Sequence, residues 1–234
     1  FKGASNRSSI SSILNSFRVN YKVNKIVKGQ GPYVLEGHKM VIENKFYGWE
    51  PDMLLGSELS GKTLGIIGLG RIGLAVANRA KAFNMNIIYF NRNKRLKELD
   101  EKENIYFRSF EALIKEADFI SIHTSLNDSS KHLITEKEFN MMKKTSFIIN
   151  TSRGECIKEI DLVEALKDNK IAGAALDVFE FEPQITEELK IFDNVILTPH
   201  IGSATFETRG KMVEIACKNI INVFLNKEPL SRVI

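Results

Sequence analysis

The stretch that most restricts how this chain can fold is Lys62 to Asn91, KTLGIIGLGRIGLAVANRAKAFNMNIIYFN. It opens with an apolar run of strand length, Leu64 to Ile67, and Gly68, Gly70 and Gly73 follow in the spacing G-x-G-x-x-G. A segment of helical period, Ile72 to Phe83, then sets Ile72, Val76, Ala80 and Phe83 on one face. A second apolar run, Ile87 to Phe90, closes a unit about 30 residues long. Strand, tight turn, helix and strand in that order give each glycine a task. Gly68 makes the turn, Gly70 lets backbone approach a pyrophosphate, and Gly73 lets the helix pack closely on the strand. The free N–H groups at the helix start, aided by the helix dipole, face an anion. Three glycines alone are weak evidence, because a structural turn uses them too. Between a buried strand and an amphipathic helix they point to a dinucleotide site.

The alternation continues downstream. Phe110 to Ile114 sits in a helical stretch, and Phe119 to Ile122 is a short apolar run ending at His123-Thr124. Lys137 to Lys143 reads as helix, and Ser146 to Ile149 as a strand running into Asn150-Thr151-Ser152-Arg153-Gly154. Ile160 to Leu166 has helical period, Ile171 to Val178 reads as a buried strand, and Val195 to Leu197 as another, stopped by Thr198-Pro199. A long helix, Thr205 to Leu225, follows. Strands alternating with helices predict an α/β fold, a Rossmann-type doubly wound parallel sheet with helices on both faces. The expected division is an atypical, poorly ordered or loosely docked segment over 1–37, then a linker or remnant of a second domain over 38–60. The nucleotide-binding domain spans 61–202 and a C-terminal helix 203–234.

Charge narrows the partners. The formal net charge is +4, but residues 1–35 hold six Lys or Arg and no acid, so the remainder is slightly acidic. No nucleic-acid footprint emerges from such a body. The Ser-rich, basic start also resembles an organellar transit segment, a reading secondary to a cytoplasmic one. Cys156 and Cys217 lie far apart without metal-ligand spacing, which fits a reducing compartment and no metal site. No apolar run approaches the ~18 residues of a membrane span.

In open parallel sheets ligands gather beyond the carboxyl ends of the strands. That rule selects Gly68 to Gly73, Asn91-Arg92, Thr124, Thr151 to Arg153, Asp177 onward, and His200 after the last strand. Arg153, Glu182 and His200 together make an anion anchor, an orienting carboxylate and an acid/base imidazole. Singly, each has a plainer reading: a surface ion pair, loop charge beside Pro183, a structural histidine after Pro199.

Four motifs in order extend these observations. They are Gly68-Leu69-Gly70-Arg71-Ile72-Gly73, Ile149 to Glu155, Ala174 to Pro183 and Thr198 to Ala204. With them, and with Phe46 to Trp49 and Leu54 to Leu59 ahead of them, the chain resembles the D-isomer-specific 2-hydroxyacid dehydrogenases over residues 40–230. The subgroup similar to glyoxylate, hydroxypyruvate and 2-ketogluconate reductases fits best. The resemblance implies reduction of a small 2-oxo acid to a D-2-hydroxy acid by hydride from a nicotinamide dinucleotide, in a protein commonly dimeric. It implies that Arg153 binds the substrate carboxylate or keto oxygen and that His200 is the general acid. Glu182 would bond the other imidazole nitrogen and Asp177 would face the nicotinamide amide. Thr124 and Thr151 would line the cofactor, with Arg71, Ile72 and Gly202 beside it.

Two departures matter. Many relatives place an aspartate for the adenosine ribose where this chain has Asn91, followed by Arg92, Asn93, Lys94 and Arg95. Losing that carboxylate removes repulsion against a 2′-phosphate, so NADP is favoured over NAD. The second departure is that no counterpart of the family's substrate domain is found upstream of His38. The alternative function is therefore an impaired dinucleotide-binding fragment or a non-catalytic NAD(P)-sensing scaffold. These 234 residues are expected to bind a dinucleotide with little dehydrogenase activity, and to leave Ile220 and Phe224 of the long helix exposed.

Overall fold

Apolar runs without polar alternation need cover on both faces, and the central strands of this chain have it. A computed structural model of the chain describes residues 34–54, 58–92 and 104–231. Among them seven strands form one parallel sheet. These are β1 Thr63–Ile67, β2 Asn86–Phe90, β3 Ile105–Phe107, β4 Phe119–Ile122, β5 Phe147–Asn150, β6 Gly173–Leu176 and β7 Val195–Leu197. Their order is β3-β2-β1-β4-β5-β6-β7, every neighbouring pair parallel. The helices are α1 Val34–Ile42, α2 Arg71–Ala80, α3 Phe110–Glu116, α4 Glu136–Met141, α5 Glu159–Lys167 and α6 Phe206–Phe224. This is the expected Rossmann-type α/β architecture.

Alternate residues of each strand serve two cores. On one face Ile67, Ile120, Ile122, Ile148 and Leu176 meet Leu113 and Ile114 of α3, Phe139 of α4 and Leu162 of α5. On the other, Leu64, Ile66, Tyr89 and Ile149 meet Val76, Ala77 and Ala80 of α2. Phe119 and Phe147 face each other in register across β4 and β5, their rings stacked at 5.4 Å. Side-chain caps start two helices: Ser109 Oγ accepts from Ala112 N, and Thr205 Oγ1 from Thr208 N.

The structure departs from the sequence reading in four places. Strand β3, Ile105–Phe107, is a three-residue strand for which the sequence reading has no element, and only its Ile105 is buried. Helix α1 spans the boundary drawn at 37/38. The run Ile171 to Val178 is buried, but only Gly173–Leu176 pairs as strand. The helix read as Ile72 to Phe83 ends at Ala80, where a tighter 3-10 turn, Lys81–Phe83, runs into Asn84 at φ 55°. That change of pitch leaves Phe83 exposed, as Ile72 is at the other end; the buried face is Gly73, Val76, Ala77 and Ala80. On α6 Ile220 and Phe224 are exposed. The readings of residues 1–33 and of Asn93, Lys94 and Arg95 lie outside the described residues. Among the described residues no helix is long and apolar enough to cross a membrane, and no cluster of metal-ligating side chains occurs.

Candidate active site

The strand order reverses between β1 and β4, and the loops after β1, β2 and β4 diverge there. Gly68 takes φ +99°, and a Cβ on it would stand 2.7 Å from the carbonyl oxygen of His123. Its N–H donates to Phe90 O at 2.9 Å. A Cβ on Gly73 would lie 2.3 Å from Gly68 O, so α2 sits directly against the turn. At Gly70 the same atom would meet nothing within 4 Å, because the space above it is open. Helix α2 starts there with no side-chain cap and no acid in its first turn, and its first intrahelical bond is Leu74 N to Gly70 O at 2.9 Å. The N–H groups of Arg71, Ile72 and Gly73 thus belong to an uncapped terminus that favours an anion.

A cavity of about 310 Å³ adjoins this turn, lined by Gly68, Asn91, Arg92, Thr124, Ser125 and Ser129 among others. Asn91 Oδ1 accepts from Leu69 N at 2.6 Å, tying the end of β2 to the glycine turn. Arg92 Nη1 donates to Ser129 Oγ at 2.7 Å, joining the loops after β2 and β4. Ser129 Oγ in turn donates to Asn127 Oδ1 at 2.6 Å. An uncapped helix start, an open approach over Gly70 and a cavity with both polar and apolar walls, Ile67, Phe90 and Leu133 among the latter, fit a dinucleotide.

The second half of the edge is built from β5, β6 and β7. Asn150, buried at the end of β5, donates from Nδ2 to Arg153 O at 2.8 Å and accepts at Oδ1 from Ser152 N and Oγ. This shapes the loop of Thr151 and Arg153, whose guanidinium is exposed and donates to Ser152 O. The next residue, Gly154, touches the segment after β6: a Cβ on it would stand 1.9 Å from the carbonyl carbon of Phe179. Asp177, buried, accepts at Oδ1 from Thr198 Oγ1 at 2.6 Å and from Ile201 N at 3.0 Å. Its carbonyl accepts from His200 N at 3.0 Å. Asp177 therefore clasps the turn that carries His200, with Gly202 just beyond.

His200 Nδ1 lies 2.9 Å from Glu182 Oε2, while Glu182 Oε1 accepts from Phe179 N at 3.1 Å. The structure pairs these two side chains and leaves Arg153 bonded to neither. Nε2 of His200 has no partner among the described residues, and the ring is largely exposed.

Sequence reasoning passed over His123. Its Nε2 is 2.8 Å from Ser121 Oγ, its carbonyl forms the wall against Gly68, and burial pushes its pKa down to about 4. The only signal was its place after an apolar strand. Thr124, next to it, lies 3.5 Å from the sulfur of buried Cys156. Glu159, Glu180 and His132 were passed over too, being scattered through loops and helix starts.

Residues 33–202 match the sequence model of the D-isomer specific 2-hydroxyacid dehydrogenase NAD binding domain. A Staphylococcus saprophyticus relative, named provisionally as a 2-hydroxyacid dehydrogenase, is 50% identical over 194 residues, covering 83% of this chain and 61% of the relative. A Staphylococcus aureus (strain USA300) relative, named in the same way, is 48% identical over 197 residues, with 84% and 62% covered. The chain thus spans about three fifths of the length of these curated relatives.

Among solved structures, a glyoxylate reductase from Paecilomyes thermophila has a TM-score of 0.80 at 36% identity, over 99% of this chain and 66% of that one. The NAD-complexed D-isomer specific 2-hydroxyacid dehydrogenase of Lactobacillus delbrueckii ssp. bulgaricus scores 0.77 at 26% identity, covering 97% and 69%. An acyclic imino acid reductase in complex with NADPH and D-Arg scores 0.80 at 29%, covering 97% and 68%.

Two predictions follow from the glycine turn and the histidine behind it. Gly70 has φ −84° and ψ −159°, a conformation open to any residue. Gly70→Ala should leave unfolding free energy within about 0.5 kcal/mol and weaken dinucleotide binding about tenfold or more. Gly73→Ala should cost about 3 kcal/mol, since backbone blocks its methyl group. Urea unfolding with a fluorescence titration separates the two; equal destabilisation would contradict the geometry.

Folded His123 binds a proton near pH 4, against 6.5 as the ordinary value. The unfolded state holds more protons between those values, so stability is lost as pH falls from 6.5 toward 4, by at most about 3 kcal/mol. His123→Gln should flatten unfolding free energies measured at about pH 7, 5.5 and 4.5.

Proposed function

Because the chain belongs to the D-isomer specific 2-hydroxyacid dehydrogenases, we propose that it serves reduction of a small 2-oxo acid to a D-2-hydroxy acid. The observation that carries this reading is the 2.9 Å pair of His200 Nδ1 and Glu182 Oε2, on the same sheet edge as the uncapped glycine turn. The bound dinucleotide supplies the hydride.

The chain's own residues do the rest. Glu182 fixes the ring through Nδ1–H, so the proton that His200 gives up is the one on Nε2. That proton goes to the keto oxygen as charge develops on it. Arg153, exposed at the end of β5, offers a planar fork to the substrate carboxylate or keto oxygen. Asp177 keeps the His200 turn in place. Residues 61–202 are the dinucleotide-binding domain in this reading, with 38–60 a linker and 203–234 a helix returning toward a substrate domain. The likeness to a glyoxylate reductase supports a small substrate such as glyoxylate, hydroxypyruvate or 2-ketogluconate. Unpaired Cys156 and Cys217 support a reducing, cytoplasmic setting.

NADPH is the preferred cofactor in this proposal. Asn91 brings no carboxylate to the cavity, and Arg92 brings a cation held by Ser129. Asn91→Asp keeps the acceptor for Leu69 N and adds a negative charge. It should weaken NADPH relative to NADH by ~1–3 kcal/mol in fluorescence titrations. Tighter NADH binding by the unmodified protein would sink the preference.

Turnover of 2-oxo acids with NADPH, by this chain together with any further residues its gene encodes, tests the chemistry. His200→Ala should lower it by ~10²–10⁴. Arg153→Lys should fail as well, because a point charge does not replace a fork. A near-normal rate in either variant would mean the roles are wrongly assigned.

A further inference from the structure

Glu182 stands in the middle of residues 177–186, which carry neither helix nor strand, yet it must hold His200 within hydrogen-bond distance. Its bond to Phe179 N is local to the same turn and does not tie that turn to the domain. The anchorage comes from elsewhere. Glu159, in the first turn of α5, is buried to 2% exposure, and both its oxygens are used on this segment. Oε1 accepts from Glu180 N at 2.7 Å, and Oε2 accepts from Thr186 Oγ1. One carboxylate thus grips the chain on both sides of Glu182. The grip is returned: Glu180 Oε2 accepts from Glu159 N at 2.9 Å, and Glu180 Oε1 pairs with His132 Nε2 at 2.5 Å. His132 is itself tied by its N–H to Glu155 O at 2.7 Å, two residues beyond Arg153.

We propose that Glu159, Glu180 and His132 form a strut that positions Glu182 and, through it, the imidazole of His200. They are positioning residues, since none touches His200. Burying carboxylates is costly unless every oxygen is bonded, and apolar side chains would fill the same space without that cost. Here the carboxylates hold two backbone N–H groups and a hydroxyl in fixed places, which apolar packing does not do. Without the strut the turn shifts, Nδ1 loses its partner, and the ring drifts to its other tautomer. The proposal rests on the reading of His200 and Glu182 as acid and orienting carboxylate.

The test is the tautomer of His200, read from two-bond ¹⁵N imidazole spectra of histidine-labelled protein at alkaline pH, where the ring is neutral. His200→Gln identifies the signal. The unmodified protein should hold His200 chiefly as the Nδ1–H tautomer, and Glu182→Ala should abolish that excess. No change in Glu182→Ala would overturn the pairing itself, and the strut with it. Given a change there, Glu180→Ala should lower the Nδ1–H to Nε2–H ratio about threefold or more. Glu180→Gln should restore part of it, because its amide oxygen still accepts from Glu159 N. His132→Ala and Thr186→Val, which each remove one outer bond, should lower the ratio about twofold, and they carry the test if Glu180→Ala does not fold. An unchanged ratio in the folded variants would overturn the strut. NADPH affinity should stay within about twofold throughout, and a parallel loss would mean that the whole edge has collapsed and would equally overturn the proposal.

Discussion

Parallel strands all point one way, so seven of them deliver their carboxyl ends to a single edge. The backbone there leaves the ladder with N–H and C=O groups still to be satisfied. Three short polar side chains at strand ends solve part of this problem, and in doing so they build the site. Asn91 after β2 accepts from Leu69 N, Asn150 at the end of β5 accepts from Ser152 N, and Asp177 after β6 accepts from Ile201 N. Each stitches one loop: the glycine turn, the Arg153 loop, the His200 turn. Local side-chain bonds of this kind compete with regular structure, which is why they appear where regular structure stops.

Close backbone approach does the remaining assembly. Gly73 brings α2 onto the turn at Gly68, and Gly154 brings the Arg153 loop onto Phe179. Neither contact leaves room for a methyl group. The first fixes the anion-binding terminus against β1, and the second sets two polar loops side by side although 25 residues of sequence separate Gly154 from Phe179. A shared edge, three stitches and two glycine contacts account for the placement of Arg153 and His200.

Much of this was legible in the sequence, for identifiable reasons. Phe119–Ile122 and Val195–Leu197 were read to the residue, because each is a short, mainly apolar run bounded by polar residues. Strand β3 was not: Ile105–Phe107 is as short as Val195–Leu197 and follows the charged stretch from Lys94 to Glu103, whose composition suggests a loop rather than a strand. The pairing of Glu182 with His200 was anticipated from resemblance, whereas the clasp made by Asp177 was not. Its carboxylate reaches Ile201, 24 residues on, and nothing local to Asp177 encodes that distance. Glu159 and Glu180 were illegible for the same reason: their partnership spans 21 residues and consists of side chain to backbone bonds, which leave no periodic trace.

At Asn91 a structural task and the selective one proposed for it are separable within one side chain. Its Oδ1 is committed to Leu69 N, a bond that an aspartate would make equally well. Exchange between the two residues therefore leaves the glycine turn held and alters only the charge beside the cavity. A unit charge about 6 Å from a phosphate, at an effective dielectric near 20, contributes about 3 kcal/mol per charge before screening. That is large against the strength of any single neutral hydrogen bond to a ribose hydroxyl, about 1 kcal/mol. Arg92, held by Ser129 across the cavity, carries the opposite sign to the carboxylate that is missing. Because the fold's requirement at this position is only for an acceptor oxygen, the sign of the charge there is left free to follow the cofactor.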